Sequence, residues 1–418
     1  MQNGSGFRSR SSNSRSSSNF GGSRPRFSGN GGGYNRNRFR SSGRSSGRSR
    51  GSNIDVSKLI NKAIEETIET EYVAKNSFMS FDVHQQIKAN IANKGYVTPT
   101  PIQDQAIPHI LLGKDLVGVA ATGTGKTAAF LIPLINKVVN NMHEKVLIIV
   151  PTRELAMQIQ DEFIAFSRGT GVFSVTCIGG TSMYVQFNNL RRRYNFIIGT
   201  PGRLKDLANR RAINLNEITN IVLDEVDRML DMGFIKDIRF LLEQIPTKRQ
   251  SLFFSATVNR EIEGLINSFL TDPVKVSLKV RDTASTVDQD VIKIIDRTKK
   301  VEILHDLLIK EEFTKVLIFA KTKMGVRRLS DTLYERGFKV ESIHGDKTQA
   351  RRQKALNMFK QDKVNILVAT DVAARGLDIS DISHVINFDL PDNYDDYVHR
   401  IGRTGRANKK GIALSFIE

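Results

Sequence analysis

The stretch AATGTGKT, from Ala120 to Thr127, constrains this chain more than any other part of its sequence. It follows the strand-like DLVGV and precedes the helical TAAFLIPLINKV, which is the context of a phosphate-binding loop. In such a loop the glycines let backbone N–H groups cradle phosphates, Lys126 reaches the β and γ oxygens, and the Thr127 hydroxyl binds Mg²⁺. We therefore predict a nucleotide site that includes Thr122, Gly123, Thr124, Gly125, Lys126 and Thr127.

The acidic stretch VLDEVDRML, from Val222 to Leu230, holds three acids in four positions. Alone it is compatible with a solvated turn, a metal site or a chance cluster. Phosphate-loop enzymes, however, need a second strand that brings a carboxylate to the magnesium ion at its C-terminal end, and IVLDE places Asp224 there. Glu225 is positioned to orient or deprotonate an attacking water. We predict that Lys126, Asp224 and Glu225 are catalytic, with Thr127 and Asp224 at the metal.

Short apolar runs alternate with helical segments along most of the chain. Because these runs are apolar throughout, they predict parallel sheets covered by helices on both faces, an α/β fold. The runs are DLVGVA, KVLIIV, FIIGT, IVLDEV, SLFFSA, KVLIFA, NILVAT and HVINF. The polar SLKVRDTASTVDQD has no periodicity and predicts a linker at 276–290 between two α/β domains.

The net charge of +18 and the pI near 9.9 favour a polyanionic partner, either nucleic acid or an acidic membrane surface. The sequence contains no run of about 18 apolar residues, so we expect no membrane span. Cys177 is the only cysteine, which excludes disulfides within the chain and any cysteine-based metal cluster. A reducing, cytoplasmic location fits this composition.

Residues 1–52 are rich in Ser, Gly, Asn and Arg, with eleven arginines and no acidic residue. This composition predicts a disordered tail. Aromatic residues among the arginines suit stacking on bases while guanidinium groups meet phosphates. They are Phe7, Phe20, Phe27, Tyr34 and Phe39. We expect the tail to add non-specific binding to nucleic acid; a solubilising linker and an organelle transit peptide are the alternatives.

The segment 53–77 connects the tail to the first domain. Apolar residues recur at helical spacing within it and predict an amphipathic helix from Asn53 to about Glu71 that docks on the body. They are Val56, Leu59, Ile60, Ala63, Ile64 and Ile68.

The order of the remaining segments, from Phe78 to the C-terminus, resembles that of the DEAD-box RNA helicases of superfamily 2. GYVTPTPIQ, ending at Gln103, looks like the family's adenine-reading Q motif. The resemblance implies that Gln103 bonds the adenine edge, that Tyr96 packs on the ring, and that Phe78 is the isolated upstream aromatic of the nucleotide site. It also implies two tandem RecA-like domains, 78–275 and 291–418.

PTRELA, Gly179-Gly180 and TPGR resemble the segments that hold an RNA backbone in the first domain, and SAT resembles the motif that links hydrolysis to strand separation. The implied RNA-binding residues of the first domain are Pro151, Thr152, Arg153, Gly180, Thr200, Pro201, Gly202 and Arg203. Those of the second domain, near RNA or the motif that grips it, are Gln349, Arg352, Thr370 and Asp371. The implied coupling residues are Asp227, Ser255, Thr257 and His399.

In the second domain VLIFAKT, HGDKTQARR, ATDVAARGLDI and HRIGRTGR appear in family order. The resemblance implies that Asp378 contacts the nucleotide ribose. Arg403 and Arg406 would be arginine fingers that meet the γ-phosphate when the domains close. His399 would link motifs across the cleft.

Two departures stand out. The signature tetrad reads DEVD, with Val226 where the family usually has alanine, yet all three acids remain and we expect activity to survive. The sequence stops at GIALSFIE, where family members normally continue through another helix, so we expect a short or truncated second domain.

The resemblance implies an ATP-dependent RNA helicase or remodeller that uses Mg²⁺ and reads sugar and phosphate with little sequence preference. An ATP-gated RNA clamp or RNA chaperone with little unwinding is the alternative. A DNA translocase with the same two-domain engine is disfavoured by GYVTPTPIQ and PTREL.

Overall fold

The structure is a computed structural model. It describes residues 55, 59–62, 72–121, 123–278, 287–374, 379, 381–405 and 411–418, with the side chain of Asp395 left out. The tail 1–52, most of the predicted helix at 53–71, and the site residues Thr122, Asp378 and Arg406 lie outside the described residues.

The first domain is built on a parallel sheet in the order β3-β4-β2-β5-β6-β1-β7. Its strands are β1 (Leu116–Val119), β2 (Val146–Ile149), β3 (Ser174–Cys177), β4 (Phe196–Gly199), β5 (Asn220–Leu223), β6 (Gln250–Ser255) and β7 (Val274–Ser277). Its helices are α1 (Gln85–Asn93), α2 (Pro101–Leu111), α3 (Lys126–Asn140), α4 (Arg153–Ser167), α5 (Met183–Leu190), α6 (Pro201–Asn209), α7 (Val226–Asp231), α8 (Ile235–Glu243) and α9 (Arg260–Phe269).

The second domain has a parallel sheet in the order β10-β11-β9-β12-β13-β8. Its strands are β8 (Val287–Lys293), β9 (Val316–Phe319), β10 (Val340–Ile343), β11 (Ile366–Ala369), β12 (His384–Asn387) and β13 (Gly411–Ile417). Its helices are α10 (Lys300–Leu308), α11 (Lys323–Glu335), α12 (Gln349–Lys360), α13 (Asp371–Ala374) and α14 (Tyr394–Ile401).

The continuous apolar runs form strands because both faces of each sheet are buried. In β2, Val146 and Ile148 pack into one core layer, whereas Leu147 and Ile149 pack into the layer on the opposite face. Successive side chains of a strand point to opposite faces, so a strand covered by helices on both sides needs apolar residues at every position. The prediction of two parallel α/β domains is confirmed. In the described part of the chain, no helix combines the length and the apolar character needed to cross a membrane.

The predicted linker 276–290 is too long at both ends. Strand β7 pairs with β1 as far as Ser277, and β8 pairs with β13 from Val287 onward. Both strands are polar on one side because they lie at sheet edges, and edge strands lose the apolar pattern that marks central ones. The stretch between the two strands is 278–286.

Residues 59–62 of the structure also differ from the predicted helix at 53–71. There Asn61 forms an isolated antiparallel bridge with Gln289, in which its N–H donates to the Gln289 carbonyl at 3.1 Å and its carbonyl accepts from the Gln289 N–H at 2.7 Å. Leu59 is fully buried in a cluster with Tyr397, Ile401 and other residues of the second domain. Pairing with an open sheet edge satisfies the backbone and has replaced local helix formation here.

Candidate functional site

The segments singled out in the first domain follow the C-terminal ends of its central strands. The phosphate-binding loop follows β1, PTRELA follows β2, the acidic tetrad follows β5, and SAT ends β6. The carboxyl ends of parallel strands meet at one edge of a sheet, where α/β proteins bind their ligands. The fold therefore collects the predicted residues along one edge.

The glycines of the phosphate-binding loop adopt a backbone conformation that other residues avoid. Gly123 and Gly125 have φ values of +83° and +94°, in the left-handed region that glycine adopts without strain. A Cβ on Gly125 would also lie 2.4 Å from Nε2 of Gln103. Lys126 begins α3, and its Nζ donates to the Ala120 carbonyl at 2.9 Å, so the ammonium group lies in the loop.

The Q-motif residues hold this loop. Oε1 of Gln103 accepts from the Thr100 N–H at 2.9 Å, and its Nε2 donates to the Gly125 carbonyl at 3.0 Å. The Thr100 hydroxyl donates to the Thr124 carbonyl at 2.8 Å. The structure thus places Gln103 between the start of α2 and the loop. The second N–H of its amide and the second lone pair of Oε1 are left for the predicted adenine contact.

Phe78 lies in the core of the first domain. Its side chain is 1% exposed and packs among Phe81 and Tyr96, with ring centroids 6.1 and 6.0 Å away. The Phe78 ring therefore lies against Tyr96 in this structure, and its place in the nucleotide site stays a prediction. A groove of about 660 Å³ runs beside the Q motif. It is lined by Tyr72, Val73, Ala74, Lys75, Asn76, Ser77, Ser80, Val97, Thr98 and Pro99.

Asp224 lies at the end of β5 and is 3% exposed. Burial raises the pKa of its carboxyl to about 6, although the nearby charge of Lys126 opposes that shift. Its Oδ1 accepts from the Glu225 N–H at 2.9 Å. In the described residues, no group of three or more His, Cys, Asp or Glu side chains could hold a metal ion. Mg²⁺ typically takes one or two carboxylates and completes its shell with phosphates and water, so Asp224 and Thr127 fit this ion beside a bound nucleotide.

Glu225 turns the chain from β5 into α7 with a φ of 54°, an uncommon value for a residue with a side chain. Nη1 of Arg228 donates to both of its carboxylate oxygens, at 3.1 and 2.9 Å. Nη2 of Arg228 lies 3.3 Å from Nδ1 of His399 on the second domain. Burial and the charges of Arg228 and Arg403 lower the pKa of His399 to about 4, so its imidazole is neutral at neutral pH.

The predicted coupling residues of the first domain are in direct contact. Oδ2 of Asp227 accepts from the N–H groups of Ala256 and Thr257 at 3.0 Å and from the Thr257 hydroxyl at 3.3 Å. The Asp227 N–H donates to the Ser255 hydroxyl at 3.2 Å. The acidic tetrad and SAT are thereby joined by hydrogen bonds.

The first-domain residues predicted to hold RNA lie at helix starts and tight loops. Thr152 caps α4, because its hydroxyl accepts from the Leu155 N–H at 3.2 Å. The Arg153 guanidinium lies against the loop that contains Gly180, where a Cβ would be 2.2 Å from Nη1 of Arg153. Arg203 donates to the Thr181 carbonyl of the same loop at 3.5 Å. Pro151 precedes α4, and Thr200, Pro201 and Gly202 form the start of α6.

Two of the predicted RNA-binding residues of the second domain, Gln349 and Arg352, reach the first domain. Nε2 of Gln349 donates to Oε1 of Glu154 at 3.1 Å, and Nη2 of Arg352 lies 3.0 Å from the same oxygen. Glu154 is 4% exposed. These two residues therefore join PTRELA to the second domain.

Asp371 faces the HRIGRTGR segment. Its two carboxylate oxygens accept from Nε and Nη2 of Arg400 at 2.5 and 2.8 Å. Arg400 also donates to Asn387 at 3.0 Å, and its side chain is 2% exposed. Thr370 caps the start of α13 through its carbonyl, which accepts from the N–H groups of Ala373 and Ala374. Arg403 is 4% exposed and close enough to His399 to influence its pKa.

Two family models match the chain. The DEAD/DEAH box helicase model matches residues 100–265, and the helicase conserved C-terminal domain model matches 299–408. The chain belongs to the DEAD-box helicase family. The DEAD-box match covers the phosphate loop, the acidic tetrad and SAT, and the C-terminal match covers HRIGRTGR.

This DEAD-box protein is 43% identical over 343 residues to the ATP-dependent RNA helicase CshA of Listeria monocytogenes. That alignment covers 82% of this chain and 66% of the relative, so the chain spans about two thirds of the length of CshA. Among solved structures it resembles S. cerevisiae Dbp5 bound to RNA and ADP BeF3, with a TM-score of 0.71, 28% identity, and 82% of this chain and 89% of that chain covered. It also resembles Mss116p bound to ssRNA and AMP-PNP, with a TM-score of 0.70, 29% identity, and 80% and 72% covered.

Three residues of the site were missed by the reasoning from the sequence of this DEAD-box chain: Glu154, Arg228 and Arg400. Each is a charged residue inside a recognised segment that pairs with a residue already singled out. For Arg228 a signal was present, because Glu225 stands three residues before it, a spacing that allows side-chain pairing on a helix. The partner of Glu154 could not be inferred in this way, because it lies in the other domain.

Proposed function

We propose that this DEAD-box protein is an ATP-dependent RNA helicase or remodeller that couples ATP hydrolysis to local strand separation. The observation that carries the proposal is the contact between Arg228, which holds the candidate base Glu225, and His399 on the second domain. One reaction centre is then assembled from two domains. Hydrolysis depends on their closure.

The nucleotide would be ATP. Lys126 and the N–H groups of its loop would bind the phosphates. The groove lined by Val97, Thr98 and Pro99 of the Q motif would take the base. In this proposal DEVD serves as the family's signature tetrad, with Glu225 as the group that orients or deprotonates water. Asp378, Arg403 and Arg406 keep the roles that the family resemblance implies, at the ribose and the γ-phosphate.

Asp224 and Thr127 would hold Mg²⁺ between the acidic tetrad and the phosphates. The ion neutralises charge on the phosphate oxygens. A buried carboxylate with a raised pKa supports this assignment, because a cation beside it offsets the cost of keeping it ionised.

RNA would bind across both domains through Arg153, Gly180 and Arg203 on the first and the Gln349–Arg352 region on the second. Such contacts reach sugar and phosphate, so we expect little sequence preference. The solved relatives Dbp5 and Mss116p hold RNA together with a nucleotide or its analogue, which supports joint binding. RNA that favours closure must raise ATP affinity by the same factor by which ATP raises RNA affinity. The tail 1–52 would add non-specific RNA contacts, and a cytoplasmic location is part of the proposal.

The deciding experiment is steady-state ATP hydrolysis by the full chain, alone, with single-stranded RNA, and with DNA of the same sequence. We expect strong stimulation by RNA, little by DNA, and loss of turnover in Lys126→Ala. Nucleotide-dependent RNA binding without hydrolysis would overturn the helicase proposal in favour of an ATP-gated RNA clamp.

A further inference from the structure

The Arg228 guanidinium connects the candidate base to the second domain. It is 3% exposed, its Nη1 donates to both oxygens of Glu225, and its Nη2 lies 3.3 Å from Nδ1 of His399. A guanidinium group can only donate hydrogen bonds, so Nδ1 of His399 is the acceptor. One planar group therefore serves a partner on each domain.

The Glu225 carboxylate depends on this contact for its orientation. In the part of the chain that the structure describes, Arg228 is the only side chain that hydrogen-bonds it. The left-handed turn at Glu225 sets where its side chain starts, but the bonds further along that side chain can still rotate. The planar guanidinium group of Arg228 fixes the direction of the Glu225 carboxylate, and the contact with His399 fixes the orientation of the guanidinium group.

We infer that Arg228 is a positioning residue that makes the orientation of Glu225 depend on closure of the two domains. The inference rests on the proposed function, in which Glu225 acts on the attacking water. When the domains separate, Nη2 loses His399 and the guanidinium is free to turn. The carboxylate then loses its fixed direction, so ATP bound to the open form is protected from hydrolysis.

Arginine is needed at this position because its nitrogen atoms form a rigid fork. The Lys ammonium group is a compact point charge on a flexible stem, and it cannot hold Glu225 and His399 in the same fixed geometry. Arg228→Lys therefore keeps the charge and removes the bridge, while Arg228→Gln removes both. His399→Leu breaks the same bridge from the second domain. Arg239→Gln, on the exposed face of α8, is the matched control.

The test measures kcat and KM for ATP at saturating RNA for all variants, together with domain closure by fluorescence energy transfer in the presence of RNA and a non-hydrolysable ATP analogue. We expect Arg228→Lys, Arg228→Gln and His399→Leu to lower kcat by about 10- to 100-fold, because misorienting a base forfeits most of its contribution. KM for ATP should rise only by the factor by which closure weakens, less than about threefold. Closure should weaken in all three, and Arg239→Gln should match the wild type in both measurements.

A double-mutant cycle separates positioning from a general structural role. If Arg228 acts through His399, the combination of Arg228→Gln and His399→Leu should lower kcat hardly further than either change alone. Full kcat in Arg228→Lys, or additive losses in the double variant, would overturn the inference. Absence of RNA-stimulated hydrolysis in the wild type would overturn the proposed function and this inference with it, whereas a stimulated wild type with unaffected variants overturns the inference alone.

Discussion

Nη2 of Arg352 on the second domain lies 3.0 Å from Oε1 of Glu154 on the first, with side chains that are 10% and 4% exposed. Gln349 donates to the same oxygen. A buried ion pair between domains exists only while the domains are together, and removing one partner from this closed form leaves the other charge away from water without a partner. Glu154 is thus the first-domain acceptor through which two second-domain residues are docked.

Glu154→Gln should weaken closure without disturbing ATP binding to the isolated first domain. Removing one partner of a buried ion pair costs about 3–5 kcal/mol. The variant avoids part of that cost when its two domains separate, so closure becomes less favourable. We expect analogue-dependent RNA affinity to fall at least about tenfold, measured by fluorescence anisotropy. Glu263→Gln, at an exposed position on α9, is the control. An equal loss with and without the analogue would place Glu154 in RNA binding alone.

Asp224→Asn should stabilise the protein while disabling it. The pKa of Asp224 is raised from 3.8 to about 6, so between these values the folded form binds more protons than the unfolded chain and stability falls as pH rises. The neutral side chain should add about 2–3 kcal/mol to the free energy of unfolding above pH ~6 and little below pH ~4. Urea unfolding at several pH values between these limits measures the change in the free energy of unfolding, with Asp306→Asn as the exposed control.

The same variant should lose Mg²⁺-dependent ATP binding, because an amide is a weaker ligand than a carboxylate. A drop in stability at high pH would instead mean that the attraction between Asp224 and Lys126 outweighs the cost of burial.

Val226→Ala separates packing from chemistry in the acidic tetrad. Val226 is fully buried in the core layer under α7, so the loss of two methyl groups should cost about 1–2 kcal/mol in the free energy of unfolding. The turn that carries Asp224 and Glu225 is set by β5 and is retained, so kcat should stay within about twofold. Val185→Ala, at an exposed position of α5, controls for stability. A large loss of kcat would show that valine shapes the catalytic turn.

Leu59→Ala should destabilise the second domain. Leu59 is fully buried among second-domain side chains, and Leu→Ala at such sites costs about 2–5 kcal/mol. Hydrogen exchange of β8 and β13 amides should accelerate. The neighbouring Ile60 is 54% exposed, so Ile60→Ala should leave exchange near the wild-type rate. Faster exchange in the first domain instead would contradict the assignment.

Local chemistry made much of the fold and site predictable. The conformation of the phosphate-loop glycines and the strand structure of apolar runs such as β2 are determined by a few neighbouring residues of the sequence. The partners of Glu154 and His399 could not be predicted, because they depend on which surfaces meet across the two domains. The helical spacing around Leu59 misled for the same reason, since an edge strand elsewhere in the chain offered stronger pairing.

The positions of Leu59 and Asn61 impose an order on the assembly of the chain. This segment is synthesised before the first domain, yet Leu59 packs in the core of the second domain and Asn61 pairs with its edge strand β8. Strands β8 and β13 are synthesised much later. The second domain is therefore not an independent module that can be cut out at its own first strand. A fragment that starts at β8 would expose the apolar surface around Tyr397 and Ile401 that Leu59 covers, and we expect it to associate with itself or with other proteins through that surface.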